Sequence, residues 1–580
     1  MINGTTLYIK HESGNLGHYF NDHVYSSFAY YLDNVQNIDN IFIELTDINL
    51  NDIHVFIENF NNKKILDGTT KDKLNFNMLI VFLYDCHKII YIEHKNNADN
   101  YNFEKIIKTE EDRKFIKYTN YLTVFDKLYN NYELYIKTNN IKNDRIDVSI
   151  LYRTTDKFER NIYNIELLEN VLKPQNISYK LLDTSKHYSF LEIVNTFCFS
   201  DNVVSFHGCE LTYGIFMKKN TQIIELTGIN YAEKWWLNME NKFINYGLKY
   251  TRFEVELIEK NLYLNKDVCF NILTQIIPLK IAFFGASITE QKLGYVNEMK
   301  KKYHDKNVDI FQYGYGARYI TDAGILHIDN VLECKPNYCF LDWFSTLMIV
   351  DDNHNLIEYI DTIIYKFTIC KCKLIFLFFP RKGMNNDRIE MFKYVQKYLH
   401  NINISYLDIS SDFKENIDII LKDGVHTSEE GSQWFSVKIN NYFKDNIDNI
   451  NYPETLPNKT KYCEYNKLNF NGIIHNFIEI EGNGKIIALK IIKNKHCGIV
   501  DIYQNDIYDG SYNFFDRWCC WTRESLSCSI NVNGKAKLIL TNKPCVPNNE
   551  HTSLDFNNIN KILEILDVYF IGNIKIIEYN

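Results

Sequence analysis

Leu279-Lys280-Ile281-Ala282-Phe283-Phe284-Gly285-Ala286-Ser287-Ile288-Thr289 decides how the middle of this chain is read. Its first six residues form a short apolar run between Pro278 and Gly285, the pattern of a buried strand. That puts Ser287 on the turn after the strand, exposed. A serine so placed is commonly no more than a helix cap, and a hydroxyl is a poor nucleophile until a base takes its proton. Far downstream, Asp423-Gly424-Val425-His426-Thr427 supplies such a base, with a carboxylate that can orient its ring. An amphipathic helix is expected from Ser428 to Phe443. Nucleophile, base and orienter are all present, the three parts of an acyl-transfer site.

From roughly Pro278 to Phe443 these residues resemble the SGNH (GDSL-like) hydrolase superfamily. The resemblance implies a flavodoxin-like α/β domain over 278–445, with Ser287 as nucleophile and Asp423 and His426 as its partners. Tyr313-Gly314-Tyr315-Gly316-Ala317 looks like the second motif block, which makes Gly316 the glycine of the oxyanion hole, with Gly314 close behind. The family's second donor, an Asn side chain, is missing. The strand end reads Cys339-Phe340-Leu341-Asp342-Trp343-Phe344-Ser345-Thr346, so the Ser345 hydroxyl or a backbone amide near Trp343 is the available substitute. Ester hydrolysis on a glycan and acyl transfer to a sugar both remain open, because one Ser-His site serves either.

In the first 265 residues short apolar strands (Met78 to Leu83, Val148 to Tyr152, Val203 to Phe206, Gln222 to Leu226) alternate with amphipathic stretches such as Ile165 to Leu172. That order calls for parallel sheets with crossover helices. Asn139 to Asp144 is a polar break between two doubly wound halves, whose strand ends would border a ligand cleft. Three local patterns stand out: Asn15-Leu16-Gly17-His18-Tyr19-Phe20-Asn21-Asp22; Arg153 and Arg160 before Asn164; and His207-Gly208-Cys209-Glu210-Leu211-Thr212-Tyr213, followed by Ile223-Ile224-Glu225-Leu226.

Together they resemble glycosyltransferase family 61, with Tyr213 where that family has Asn and Cys209 where it has Ala. The resemblance implies a GT-B-like pair of Rossmann-type halves over 1–265. It also implies inverting transfer from a nucleotide sugar to a glycan or glycoprotein acceptor, usually without a metal and with no other cofactor. Such a transfer needs a base for the acceptor hydroxyl and groups that stabilise the departing diphosphate. Asp22 is the expected base, with His18 one helical turn before it. Arg153, Arg160 and the amides of the His207-Gly208 turn form the expected anion cradle. His207 as a satisfied core histidine is the simpler alternative, and Glu225 is expected at a strand end or on the nucleotide ribose.

Past Asp445 short strands follow at turn-separated intervals: Phe477 to Ile480, Lys485 to Ile492, Gly498 to Tyr503, Ser527 to Val532, Lys535 to Leu540 and Val568 to Ile571. A small all-β sandwich over 446–580 is the expectation. Trp518, Trp521 and Tyr512 are either its core or a platform for a sugar ring. A net charge of -9 argues against a nucleic-acid partner. Met1-Ile2-Asn3-Gly4-Thr5-Thr6 carries no signal pattern, and no apolar stretch approaches the roughly 18 residues that span a bilayer. A soluble cytoplasmic protein is therefore expected. The 14 cysteines show no metal-site spacing and are expected as free thiols.

Overall fold

The computed structural model describes residues 144–580 except 155–160, 187, 189, 229–235, 260, 317, 346–352, 413–416, 516–521 and 546–559. Before these it describes the backbone of three strands, together with Asp126, Tyr129 and Asn130. His18, Asp22, Arg160, Trp518, Trp521 and the strand expected at Met78 to Leu83 lie outside the described residues. The chain divides into two compact units, Met1–Ile276 and Ile277–Asn580.

In the first unit β1 (Thr6–His11), β2 (Asn40–Leu45) and β3 (Ile89–His94) form a parallel sheet in that order. A second sheet contains β4 (Ile146–Tyr152), β5 (Tyr179–Asp183), β6 (Ser200–Phe206), β7 (Gln222–Gly228), β8 (Lys249–Ile258) and the short β9 (Asn261–Tyr263), in the order β5-β4-β6-β7-β8-β9. All its pairs but β8 with β9 are parallel. Parallel strands require crossovers, and the helices Glu166–Leu172, Phe190–Cys198 and Trp236–Tyr246 stand between successive strands. Because β4 pairs with β5 on one side and β6 on the other, the winding reverses at β4. In open α/β sheets such a reversal, here at the carboxyl ends of β4 and β6, is the usual ligand position.

The second unit begins with five parallel strands, β10 (Leu279–Gly285), β11 (Val308–Gly314), β12 (Tyr338–Asp342), β13 (Lys373–Phe378) and β14 (Ser405–Asp408), in the order β11-β10-β12-β13-β14. This is the same winding, with its reversal at β10. Every residue of β10 except Lys280 is buried, as the apolar run requires. The helix expected from Ser428 runs from Glu429 to Asn446, and the Ser428 hydroxyl caps it by accepting from the Gly431 amide at 3.0 Å.

The rest of this unit departs from the expected strand boundaries: Ser527 ends one strand, and the next runs unbroken from Ile530 through the expected gap before Lys535. β15 (Asn466–Ile474), β16 (Phe477–Lys493), β17 (Ile499–Gln504), β18 (Ile507–Asn513), β19 (Arg523–Ser527), β20 (Ile530–Thr541) and β21 (Leu563–Tyr579) make one antiparallel sheet rather than a series of short strands. The break expected between Ile480 and Lys485 does not exist. Gly482 and Gly484 sit inside β16 because β21 approaches too closely for a side chain: a Cβ would lie 1.9 Å from the Asn573 carbonyl oxygen and 2.1 Å from that of Ile571. There glycine marks close packing, not a turn. Ile487, Ala488, Leu526 and Ile571 of this sheet share one core with Phe284, Trp343, Phe344 and Tyr359 of the α/β part. The ten cysteines whose side chains are described are free. No described helix is long and apolar enough to cross a membrane.

Candidate functional sites

Ser287 opens a short helix, Ser287–Glu290, directly after β10, and Ala286 rather than Ser287 occupies the cap position. The hydroxyl makes no capping bond, and Ser287 is half-buried rather than fully exposed. Asp423 accepts from the backbone amides of Val425 (2.8 Å) and His426 (2.7 Å) with one oxygen and bonds His426 Nδ1 at 2.8 Å with the other. Burial pushes the Asp423 carboxyl up, but the two amides and the imidazole outweigh it and hold the group below its ordinary value. It is therefore a carboxylate at neutral pH, suited to receive Nδ1–H and leave Nε2 for a substrate proton.

Gln291, which sequence reasoning missed, joins the two halves of this site. It follows the Ser287 helix, and its side-chain amide donates to the Thr427 carbonyl at 2.9 Å. Its oxygen accepts from the Thr427 amide at 3.2 Å and from the Thr427 hydroxyl at 3.1 Å. The residue beside His426 is thus fastened to the residue that caps the end of the Ser287 helix. No hydrogen bond joins Ser287 to His426 among the described residues. Such contacts are often loose without substrate.

The glycines of the second block have different jobs. A Cβ on Gly314 would fall 2.1 Å from the Glu290 amide nitrogen, so this glycine lets β11 press against the Ser287 helix. At Gly316 an added Cβ would lie 2.1 Å from Oε2 of the Glu290 side chain. The Tyr315 amide donates to the Gly285 carbonyl at 2.9 Å, which ties the loop to the end of β10.

Beside the end of β10, at the end of β12, Asp342 is completely buried. Thr289 donates to its Oδ2 at 3.0 Å, while Oδ1 has no partner. Tyr295 bonds the same Thr289 hydroxyl at 2.8 Å. Burial pushes the Asp342 carboxyl up to about 7, against the lowering effects of the nearby Ser345 and of Thr289. Ser345, the suggested substitute donor, is also buried, and its Oγ has no partner.

A stability prediction follows from Asp342. Its folded pKa lies above the ordinary carboxylate value, so its contribution is fully present below about pH 4 and falls away as pH rises through about 7. Asp342→Asn keeps the neutral shape without the titration. In urea unfolding the variant should match the wild type near pH 3 and exceed it near pH 8 by on the order of 4 kcal/mol. Parallel pH profiles for the two proteins would remove the buried-acid assignment.

In the first unit Arg153 and His207 stand where the winding reverses. Arg153 follows β4 and pairs through Nη2 with Glu210 Oε1 at 2.5 Å; both side chains are largely buried. Its guanidinium lies over the Phe206 ring, 4.1 Å from the centroid. Glu210 Oε2 packs against Gly208, where an added Cβ would be 2.5 Å away. A carboxylate thus already occupies the neighbourhood of the expected anion cradle, and sequence reasoning missed it. His207 Nδ1 is bonded to Glu225 Oε1. Glu225, expected at a strand end or on the nucleotide ribose, lies inside β7 and is completely buried. Tyr213 is buried and packs on Phe197, ring centroids 5.8 Å apart. No group of three or more His, Cys, Asp or Glu among the described residues could hold a metal.

The model of the family described as Glycosyltransferase 61 matches residues 16–224. No curated protein matches the chain. Among solved structures the chain is similar to the acetyl xylan esterase AlAXEase, with 19% identity, 28% of this chain and 99% of that one covered, and a TM-score of 0.26. A two-domain esterase (CEX) active on acetylated mannans is 14% identical over 51% of this chain and 92% of its own, TM-score 0.35. The lipase/acylhydrolase from Enterococcus faecalis is 20% identical over 29% of this chain and 96% of its own, TM-score 0.26.

Proposed function

We propose that the chain is a bifunctional glycan-building enzyme, with glycosyl transfer in 1–265, ester chemistry in 278–445 and an all-β module in 446–580. The observation that carries the ester reading is the Gln291 clamp, which gathers Ser287 and the Asp423–His426 pair at one reversal point of a parallel sheet. His426 takes the Ser287 proton as Oγ attacks the acyl carbon. The new C–O bond raises an oxyanion that the Ser287 and Gly316 amides receive. Collapse expels the sugar hydroxyl with the proton from His426, and water then repeats the sequence to free the acid.

The family match supports the transferase reading, and the reversal point of the second sheet supplies its setting. Arg153, Arg160 and His207 hold the nucleotide diphosphate. Glu225 fixes the His207 ring through Nδ1, and Asp22 deprotonates the acceptor.

Hydrolysis of a chromogenic acetyl ester tests the first activity. Thermal shift against a panel of nucleotide sugars tests the second, since a ligand at 100 times its Kd adds about 2.7 kcal/mol of apparent stability. An ester rate no greater than buffer sinks the ester reading, and a panel without a single stabilising nucleotide sinks the transferase reading.

A further inference from the structure

Two residues beyond Gly316, the side chain of Arg318 donates through Nη2 to the hydroxyl of Ser525 on β19. The partners lie 207 residues apart, one in the loop after β11 and the other in the C-terminal sheet. Burial depresses the Arg318 guanidinium, with the Asp322 carboxylate acting against it. A desolvated cation is costly unless it is paired and hydrogen-bonded, so the contact is not an incidental surface pair.

The loop that carries Gly316 is held at its near end by the Gly314 packing and by the Tyr315 amide on Gly285. The Tyr315 ring also lies parallel to His327 at 4.1 Å. Beyond Gly316, Tyr319 donates to Asp322, which caps the next helix, and Arg318 reaches the sheet. That sheet is a firm anchor. Leu526, next to Ser525, belongs to the core shared with Trp343 and Phe344, and Lys485 of β16 donates to the Tyr359 hydroxyl at 2.9 Å.

We propose that Arg318 is a positioning residue for the ester site, fastening the Gly316 loop to the C-terminal sheet so that the oxyanion hole takes its shape partly from that sheet. The inference rests on the ester reading for its effect on rate, but not for the anchoring itself. The all-β module is then a working part of the site and not a tethered accessory.

The test uses the full chain with Arg318→Ala, Arg318→Lys and Ser525→Ala, followed by ester kinetics and by hydrogen exchange of the peptide covering 313–319. A hole displaced by about 1 Å costs on the order of 100-fold in rate. Arg318→Ala should therefore lower kcat by about that factor with KM nearly unchanged. Exchange should quicken in the loop and stay the same in β10 and β12. Ser525→Ala should shift both readouts in the same direction by less, and Arg318→Lys should recover part of the rate. Unchanged loop exchange in Arg318→Ala overturns the proposal. So does a loss of protection spread equally over β10 and β12, which would mark a general loss of stability. Equal ester rates for the wild type and Ser287→Ala would discard the ester reading alone, and the loop exchange would still decide the anchor.

Discussion

Ser287→Ala is expected to abolish ester cleavage, a loss of about 10⁴-fold or more, while sugar transfer proceeds at the wild-type rate. The nucleophile is the one group of the site with no substitute: removing it leaves only binding and the oxyanion amides to act on an attacking water. His426→Ala should be equally severe, because the base and the nucleophile it activates work as a unit. The double variant should then be no slower than either single one. Asp423→Ala should be milder. Its carboxylate orients and stabilises the ring without moving a proton itself, and the Asp423 side chain is about half exposed, so water replaces part of its effect. Steady-state hydrolysis of an acetyl ester by the four variants checks the series. An unchanged rate in Ser287→Ala removes that residue from its role, and a strongly additive double variant contradicts the shared unit.

What the sequence could carry is visible in which of these parts were found. The run Leu279 to Phe284 announces a buried strand because all its neighbours in a doubly wound sheet are apolar, and Ser428 announces a helix because its cap bond is local. Asp423 and His426 are legible for the same reason, three residues apart and bonded to each other. The parts missed are long-range. Gln291 meets Thr427 across 136 residues, Glu210 meets Arg153 across 57, and Arg318 meets Ser525 across 207, and no local pattern encodes such pairings. Glu225 reads as a strand-end residue or a ribose contact because it stands near the end of the apolar run Gln222 to Leu226. Only the fold reveals that β7 continues past it to Gly228 and that its buried carboxylate meets His207. The glycines of β16 misled for a physical reason too, since close approach of two backbones and a tight turn select the same residue.

The Arg153–Glu210 pair yields the second large effect, in which two substitutions of similar size act in opposite directions. If Arg153 holds the nucleotide diphosphate, the incoming anion must take the guanidinium from Glu210, whose other oxygen already crowds Gly208. Arg153→Gln should therefore weaken nucleoside diphosphate binding by about 1.5 to 3 kcal/mol, the worth of a hydrogen bond to a charged group. Glu210→Gln removes the competing charge and should tighten binding, by about tenfold or 1.4 kcal/mol. The ground for expecting a gain is Coulombic: a carboxylate within contact of the cradle repels a diphosphate in a site largely shielded from water, where screening is weak. Both variants break a mostly buried ion pair and should lose folding stability, so stability alone does not separate a binding role from a structural one. Calorimetric titration of a nucleoside diphosphate separates them, with each variant held well below its melting temperature. A purely structural pair predicts equal, small changes in affinity for the two variants. Weaker binding in Glu210→Gln would instead make Glu210 a ligand contact, and the diphosphate would then have to be placed elsewhere along the carboxyl edge of β4 and β6.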